Sequence, residues 1–369
     1  MKKIIKRVNL IDQWRSDERK ILPVVKKILS SGEYIGSDLI STLEKKIAKY
    51  CGTKFAVCTN SGTDALTLGM YLLNIKKGDE VITPPNSFIA SASSIAHLGA
   101  KPIFVDVNED QLIDPNEVEK KISKKTKAIM PVHLCGKMAD MKQLMKLSKK
   151  YKIPVIEDCA QAIGSKFGKK KSGSYGNMGC FSTHPLKNLN AAGDGGFIVT
   201  NNYQHYKKLK LLINHGLSDR NKSQCFAYVS RMDTLQAGIL IERLKNLNSR
   251  IILRRKNAEI YFKELKNLPI RLPYENKNEF NSYHLFVIQT DFRDKLQFFL
   301  KNKNIETGVH YPIPIHLQPA AKYLGYKKGD FKNTEKQSRT ILSLPINEFL
   351  KKNEIIYICK MIKAFFNEK

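Results

Sequence analysis

Three observations predict an α/β fold built on a mostly parallel sheet. Seven short apolar runs recur between residues 55 and 201, helical patterns separate several of them, and the chemically unusual residues gather where the runs end. In sheets of this kind ligands bind at the carboxyl ends of the strands. The expected architecture is a large domain over residues 1–249, with a seven-stranded, mostly parallel sheet. A smaller α+β domain is expected over residues 250–369.

The elements follow in order. Residues 1–50 read as helices with loops: SDLISTLEKKIAKYCG places Leu39, Leu43, Ile47 and Tyr50 at helical spacing and stops at Gly52. The strand runs are FAVCT (55–59), EVITPP (80–85), PIFVDV (102–107), AIMPVH (128–133), PVIED (154–158), MGCFST (178–183) and FIVTN (197–201). DALTLGMYLL (64–73) and MADMKQLMKLSKKY (138–151) are helical patterns between them. From residue 233 one long helical pattern, DTLQAGILIERLKNLNSRIILRRKNAEIYFKEL, leads away from this unit. FVIQT (286–290) reads as a strand, the loop GVHYPIPIHLQP (308–319) follows, and an amphipathic stretch closes the chain.

Composition narrows the function classes. With 42% apolar and 26% charged residues over 369 positions, the chain reads as an ordinary soluble protein. No stretch reaches the roughly 20 apolar residues that a membrane span needs, and the N-terminal MKKIIKRVNLIDQW has no apolar core of a secretory signal. Seven cysteines without a C-x-x-C pair fit a reducing, cytoplasmic setting, and no metal ligands are assigned. The net charge of +29 raises nucleic-acid binding. Its lysines are scattered as KK pairs without interleaved aromatics or a binding motif, so a solvated surface is the expected reading. A positive field drawing in an anionic substrate is the functional alternative.

Four run ends carry chemistry. TNSGTDAL (59–66) closes a strand and opens a helix around Gly62 and Thr63, either as a phosphate cradle or as a simple helix cap. TPPNSFIASASSI (83–95) offers Phe88, either a plate for a flat ring or a core residue. VIEDCAQAIGS (155–165) offers Glu157 and Asp158, which point to opposite sides of a strand, and then Gln161. One of these carboxylates could hold a ring nitrogen, a sugar hydroxyl or a metal, or cap a helix. FSTHPLKNLNAAGDGG (181–196) sets Ser182 on a strand and Lys187 just beyond it. Its glycines suit close backbone approach and positive φ. A partly desolvated lysine can form a covalent link to a carbonyl. His133 and His184 also fall at strand ends, as site residues or as structural histidines.

A phosphate cup, an aromatic plate, a carboxylate, a glutamine and a reactive lysine are together what pyridoxal 5′-phosphate requires. The markers SGTDAL, IEDCAQA, FSTHPLKN with GDGG, SRMDTLQAGIL and HYPIPIHLQP appear in order. On these the chain resembles the DegT/DnrJ/EryC1/StrS family of sugar aminotransferases, from GEYIGSDLISTLEKKIAKYCG (32–52) to QSRTILSLPI (337–346). The resemblance implies fold-type I architecture. It makes Lys187 the covalent partner of the cofactor aldehyde and the acid–base that moves the proton. Asp158 would pair with the pyridinium nitrogen and Gln161 would lie near the phenolic oxygen. Gly62, Thr63 and Ser182 would hold the phosphate, and Phe88 would stack on the ring. His310, Tyr311 and His316 would border the sugar pocket.

The resemblance further implies a homodimer with shared sites, with L-glutamate and a nucleotide-diphosphate keto sugar as substrates. Amino sugars made this way serve surface polysaccharides or glycosylated products. Two departures stand out. In AYVSRMD (227–233) Val229 replaces an asparagine that reaches the neighbouring subunit's phosphate, and Asp194 replaces a commoner glutamate. Two rivals follow from the same scaffold: a keto-sugar dehydratase, in which histidine replaces the lysine, and a non-catalytic binding relative. The GDGG and SRMD wording leans toward 3-keto sugars.

Overall fold

The computed structural model describes residues 4–367. Two N-terminal helices, α1 (Leu10–Ser31) and α2 (Asp38–Cys51), precede the sheet, and Gly52 ends α2 with a left-handed φ of 74°. All seven expected strands form: β1 (Phe55–Thr59), β2 (Glu80–Thr83), β3 (Lys101–Phe104), β4 (Thr126–Ile129), β5 (Ile156–Asp158), β6 (Met178–Ser182) and β7 (Gly196–Thr200). β1, β7, β6 and β5 make one ladder, and β3, β2 and β4 another. Parallel bridges from Ile129 to Val155 and from Val132 to Asp158 join the two. Only β7 runs against its neighbours, so the sheet is mostly parallel, as expected.

Helices α3 (Gly62–Leu72), α4 (Ala90–His97), α5 (Pro115–Lys121) and α6 (Met141–Tyr151) connect the strands, and α7 (Tyr203–Leu212) follows β7. Their starts are written locally: the Ser61, Asp114 and Asp140 side chains accept from first-turn N–H groups of α3, α5 and α6. One apolar layer joins Leu66, Leu68 and Met70 of α3 to Ile156 and Ile198 of the sheet. Another joins Leu43 and Ile47 of α2 to Phe181, Phe197 and Val199. Burial on both sides accounts for strands that read as continuous apolar runs.

The long helical pattern after residue 233 breaks into α8 (Thr234–Lys245) and α9 (Leu247–Leu265) around Asn246, whose φ of −104° and ψ of 2° leave the helical region. α9 carries Leu247 and Ile251 in the core of the large sheet, and Ala258, Tyr261 and Leu265 in a second core. That second core gathers β8 (Phe286–Gln289), α10 (Arg293–Asn302), β9 (Ile341–Leu344) and α12 (Lys352–Asn367), with β8 and β9 antiparallel; α11 (Lys332–Thr340) runs directly into β9 and contributes no residue to this core. The expected boundary at 249/250 therefore falls inside α9. Ile5, expected with the large domain, instead bridges Ile305 and packs in the second core. Such a contact spans the chain and leaves no local periodicity. Among the described residues no helix is long and apolar enough to cross a membrane, and no disulfide forms.

The two adjacent carboxylates of β5 divide as strand alternation requires. Glu157 is fully buried away from the cavity. Its Oε1 accepts from the N–H groups of Tyr175 (2.8 Å) and Gly176 (2.7 Å), and its Oε2 from Gly173 N–H and His133 Nε2, each at 2.9 Å. The Ala139 N–H donates to His133 Nδ1 at 3.2 Å, so Nε2 carries the proton. His133 is thus a structural histidine. Cys159 completes a cluster with these two within 4.8 Å, but both Glu157 oxygens already serve the loop that follows. In Glu157→Gln one amide NH2 must face N–H donors. We expect a loss of about 2–4 kcal/mol in urea unfolding; a change below about 1 kcal/mol would contradict this role.

Candidate active site

A cavity of about 350 Å³ opens where β5, β6 and the start of α3 meet residues 284–285 and 310–311 of the second unit. Gly62, Thr63, Phe88, Asp158, Gln161, Ser182, Lys187, His310 and Tyr311 all line it. Residues expected from five separate stretches therefore converge on one space.

The α3 end is a tight cradle. A Cβ on Gly62 would lie 2.6 Å from Ser182 Cβ, and one on Gly196 would lie 2.4 Å from the Ser61 carbonyl oxygen. Glycine at both places lets two backbones and Ser182 close around the helix N-terminus. There free N–H groups and the helix dipole favour an anion. The glycines of GDGG need this closeness alone: none of Gly193, Gly195 and Gly196 has a positive φ, contrary to the second expectation. A Cβ on Gly195 would meet Thr183 Oγ1 at 2.4 Å.

Lys187 rides on the turn between β6 and β7. The turn is held by Lys187 N–H on His184 O (2.8 Å), Thr183 N–H on Gly195 O (2.8 Å) and Ala191 N–H on Thr183 O (2.7 Å). Burial lowers the Lys187 pKa, and the negative charge of Asp158 opposes that shift. Asp158 is 3% exposed. Ser91 Oγ donates to its Oδ2 at 2.8 Å and Ala160 N–H to its Oδ1 at 3.1 Å. Burial raises its pKa, while these two bonds, Lys187 and His133 pull it back. The result is a desolvated carboxylate facing a desolvated amine.

Gln161 is oriented by the backbone. Cys135 N–H donates to its Oε1 at 2.8 Å, which turns its Nε2 toward the Tyr311 hydroxyl at 3.3 Å. Phe88 is 56% exposed, its ring 5.8 Å from that of Tyr311, so it is a free plate at the cavity mouth rather than a core residue. His310 Nδ1 meets Ser343 Oγ at 2.8 Å, and burial with the nearby Arg7 and Lys187 lowers its pKa to about 4. His184 lines the cavity as well, as does the exposed Asp194.

His316 corrects an expectation. It is 2% exposed, pairs with Glu335 Oε1 at 3.2 Å, packs its ring on Phe331 and does not line the cavity. The turn of residues 315–317 points it inward, which a loop sequence does not reveal. Ser91, His284 and Arg7 line the cavity without having been singled out from the sequence. Ser91 lay within a quoted motif, whereas Arg7 is one basic residue among 63.

The donor set fits pyridoxal phosphate: an anion cradle, an exposed aromatic face, a buried carboxylate and an amine with a lowered pKa share one cavity.

Comparison with known proteins agrees. The model of the DegT/DnrJ/EryC1/StrS aminotransferase family matches residues 15–363. A pleiotropic regulatory protein of Geobacillus stearothermophilus is 38% identical over 363 residues, 97% of this chain and 98% of that one. The dTDP-3-amino-3,6-dideoxy-alpha-D-galactopyranose transaminase of Aneurinibacillus thermoaerophilus is 38% identical over 350 residues, 94% and 96% of the two chains. The crystal structure of S. venezuelae DesV in complex with a ketimine intermediate superposes with a TM-score of 0.96 at 34% identity, covering 98% of both chains.

Proposed function

This chain belongs to the DegT/DnrJ/EryC1/StrS aminotransferase family, a pyridoxal-phosphate-dependent enzyme family. From that premise we propose that it transfers an amino group from L-glutamate to C3 of a nucleotide-linked 3-keto hexose. The observation that carries the reading is the convergence of Lys187 and Asp158, both desolvated, beside the Gly62–Ser182 cradle. Similarity to a transaminase whose product bears a 3-amino group supports C3.

Gly62, Thr63 and Ser182 would hold the cofactor phosphate, Phe88 its ring face, Asp158 its ring nitrogen, Gln161 its phenolic oxygen and Lys187 its aldehyde. When bound, the cofactor supplies the electron sink that lets an amino group leave one carbon and join another. Lys187 Nζ, with its lowered pKa, is a neutral base at lower pH than an ordinary lysine and can take and return the proton at the substrate carbon. Asp158, held by Ser91 and the Ala160 N–H, places negative charge where positive charge must persist. Neutral His310 and Tyr311 leave the sugar side of the cavity polar but uncharged at those two positions.

A cytoplasmic homodimer is part of the reading, with the product destined for a surface polysaccharide or another glycosylated product. Phe226, Tyr228 and Val229 form an exposed apolar group beside the hairpin of residues 217–223, suited to a second copy. Val229 donates no side-chain hydrogen bond to a neighbour's phosphate, so each cradle would depend on its own subunit there.

The test is incubation of the cofactor-loaded protein with L-glutamate and a dTDP- or UDP-linked 3-keto hexose, with mass spectrometry of the sugar. Replacement of the keto oxygen by an amino group is expected. No amination across 3-keto and 4-keto acceptors would overturn it. The regulatory relative gives a second reading, a non-catalytic cofactor-binding protein. In that case L-glutamate would leave the visible absorption band of the holo-protein unchanged.

A further inference from the structure

Arg7 reaches the cavity from the N-terminal segment, far in sequence from every motif. Its backbone N–H donates to Glu306 Oε2 at 3.2 Å, which ties the segment down. The guanidinium itself has no ion pair or hydrogen bond among the described residues. The other arginines withdrawn from solvent differ in this respect. Arg243 and Arg250 share Asp17, Arg254 holds Glu348, and Arg255 holds Glu275. Withdrawing a cation from water without a directly bound anion is costly: burial pulls the Arg7 pKa down, and the nearby Glu306 carboxylate opposes that shift without forming an ion pair with the guanidinium.

Its neighbours offset its charge only in part, because Glu306 is engaged by the Arg7 backbone N–H and makes no ion pair with the guanidinium. Gly308 leaves it room, since a Cβ there would lie 3.3 Å from Arg7 Nε and 2.9 Å from His310 Cε1. The imidazoles of His284 and His310 are kept neutral by burial and by the positive charges nearby, Lys187 among them. Lys187 has Asp158 as its counter-charge, and the phosphate cradle lies on the α3 side. The wall built by Arg7, Gly308, His310 and Tyr311 therefore presents a guanidinium with no anion in direct contact among the described residues.

A guanidinium presents a planar fork that matches a carboxylate at two points. We propose that Arg7 is the carboxylate-binding residue of this active site. It would hold either a carboxylate of the amino donor or an acid group on the keto sugar. The proposal rests on the aminotransferase reading for the identity of those ligands.

Calorimetric titration of 2-oxoglutarate into the holo-protein tests it without turnover. Arg7→Gln is expected to weaken binding about ten- to a hundredfold, with Arg7→Lys recovering part of the loss. Stopped-flow traces with L-glutamate should show the same loss in apparent Kd, with the limiting rate changed far less. If both readouts are unchanged, but a keto-sugar nucleotide with a C6 carboxylate loses that factor relative to its C6-methyl analogue, the proposal stands with the sugar as the source. Wild-type affinity for all of these ligands in Arg7→Gln would overturn it. Matching unfolding midpoints and cofactor absorption bands identify variants that have folded and loaded normally. The 2-oxoglutarate titration needs no sugar acceptor, so failure to aminate any keto sugar would leave its result intact.

Discussion

Replacing Lys187 with alanine is expected to remove transamination by a factor on the order of 10³ or more, since positioned proton transfer alone contributes roughly 10²–10⁴-fold. The turn between β6 and β7 delivers this amine beside Asp158, and among the described residues no other lysine lines this cavity. Lys187→Ala should fold normally, because the change takes a desolvated cation out of the site. Its visible spectrum with added pyridoxal phosphate should lack the band of a protein-bound cofactor aldehyde. Wild-type attachment should rise with pH, because the amine must be neutral to react, with a midpoint below that of an ordinary lysine. A Lys187→Ala protein that still aminates keto sugars at more than about a tenth of the wild-type rate would exclude Lys187 as the proton carrier.

Asp158→Asn should lower kcat by about 10²–10³-fold, the usual consequence of deleting one preorganised electrostatic group. Asparagine can keep the Ala160 N–H bond with Oδ1 and donate from Nδ2 to the Ser91 hydroxyl, which turns from donor to acceptor, so shape is preserved while the charge is lost. A second readout follows from the pairing with Lys187. Asp158 raises the Lys187 pKa, so its loss should lower that pKa further and move the rising limb of the pH–rate profile to lower pH. A profile shifted upward, or a kcat within about threefold of wild type, would show that this carboxylate serves only to cap the turn at Ala160.

Much of the site was legible because its parts sit at strand ends and in short motifs. Lys187, Asp158, Gln161, Gly62, Thr63, Ser182 and Phe88 could each be singled out where a strand run stops, and all line one cavity. Strand alternation also announced that Glu157 and Asp158 would part company. Which of them would face the ligand was open to the bare residues, and the packing resolves it: Glu157 is taken up by Gly173, Tyr175, Gly176 and His133. His316 is the opposite case, drawn from a promising motif yet buried against Phe331 and Glu335.

The sequence by itself determined the seven strands, the caps of α3, α5 and α6, and the order in which chemical groups reach the sheet's edge. These depend on periodicity and on neighbours a few residues apart. Only the tertiary structure decided that Ser91 would hold Asp158, 67 residues away, and that Ile5 would join the core around Ile305. It alone placed Arg7, its guanidinium without a direct ion pair, on the cavity wall. Periodicity tells a segment which of its faces must leave water. The segment that covers that face, and the charges then trapped beside it, are set by the packing of the whole chain at once.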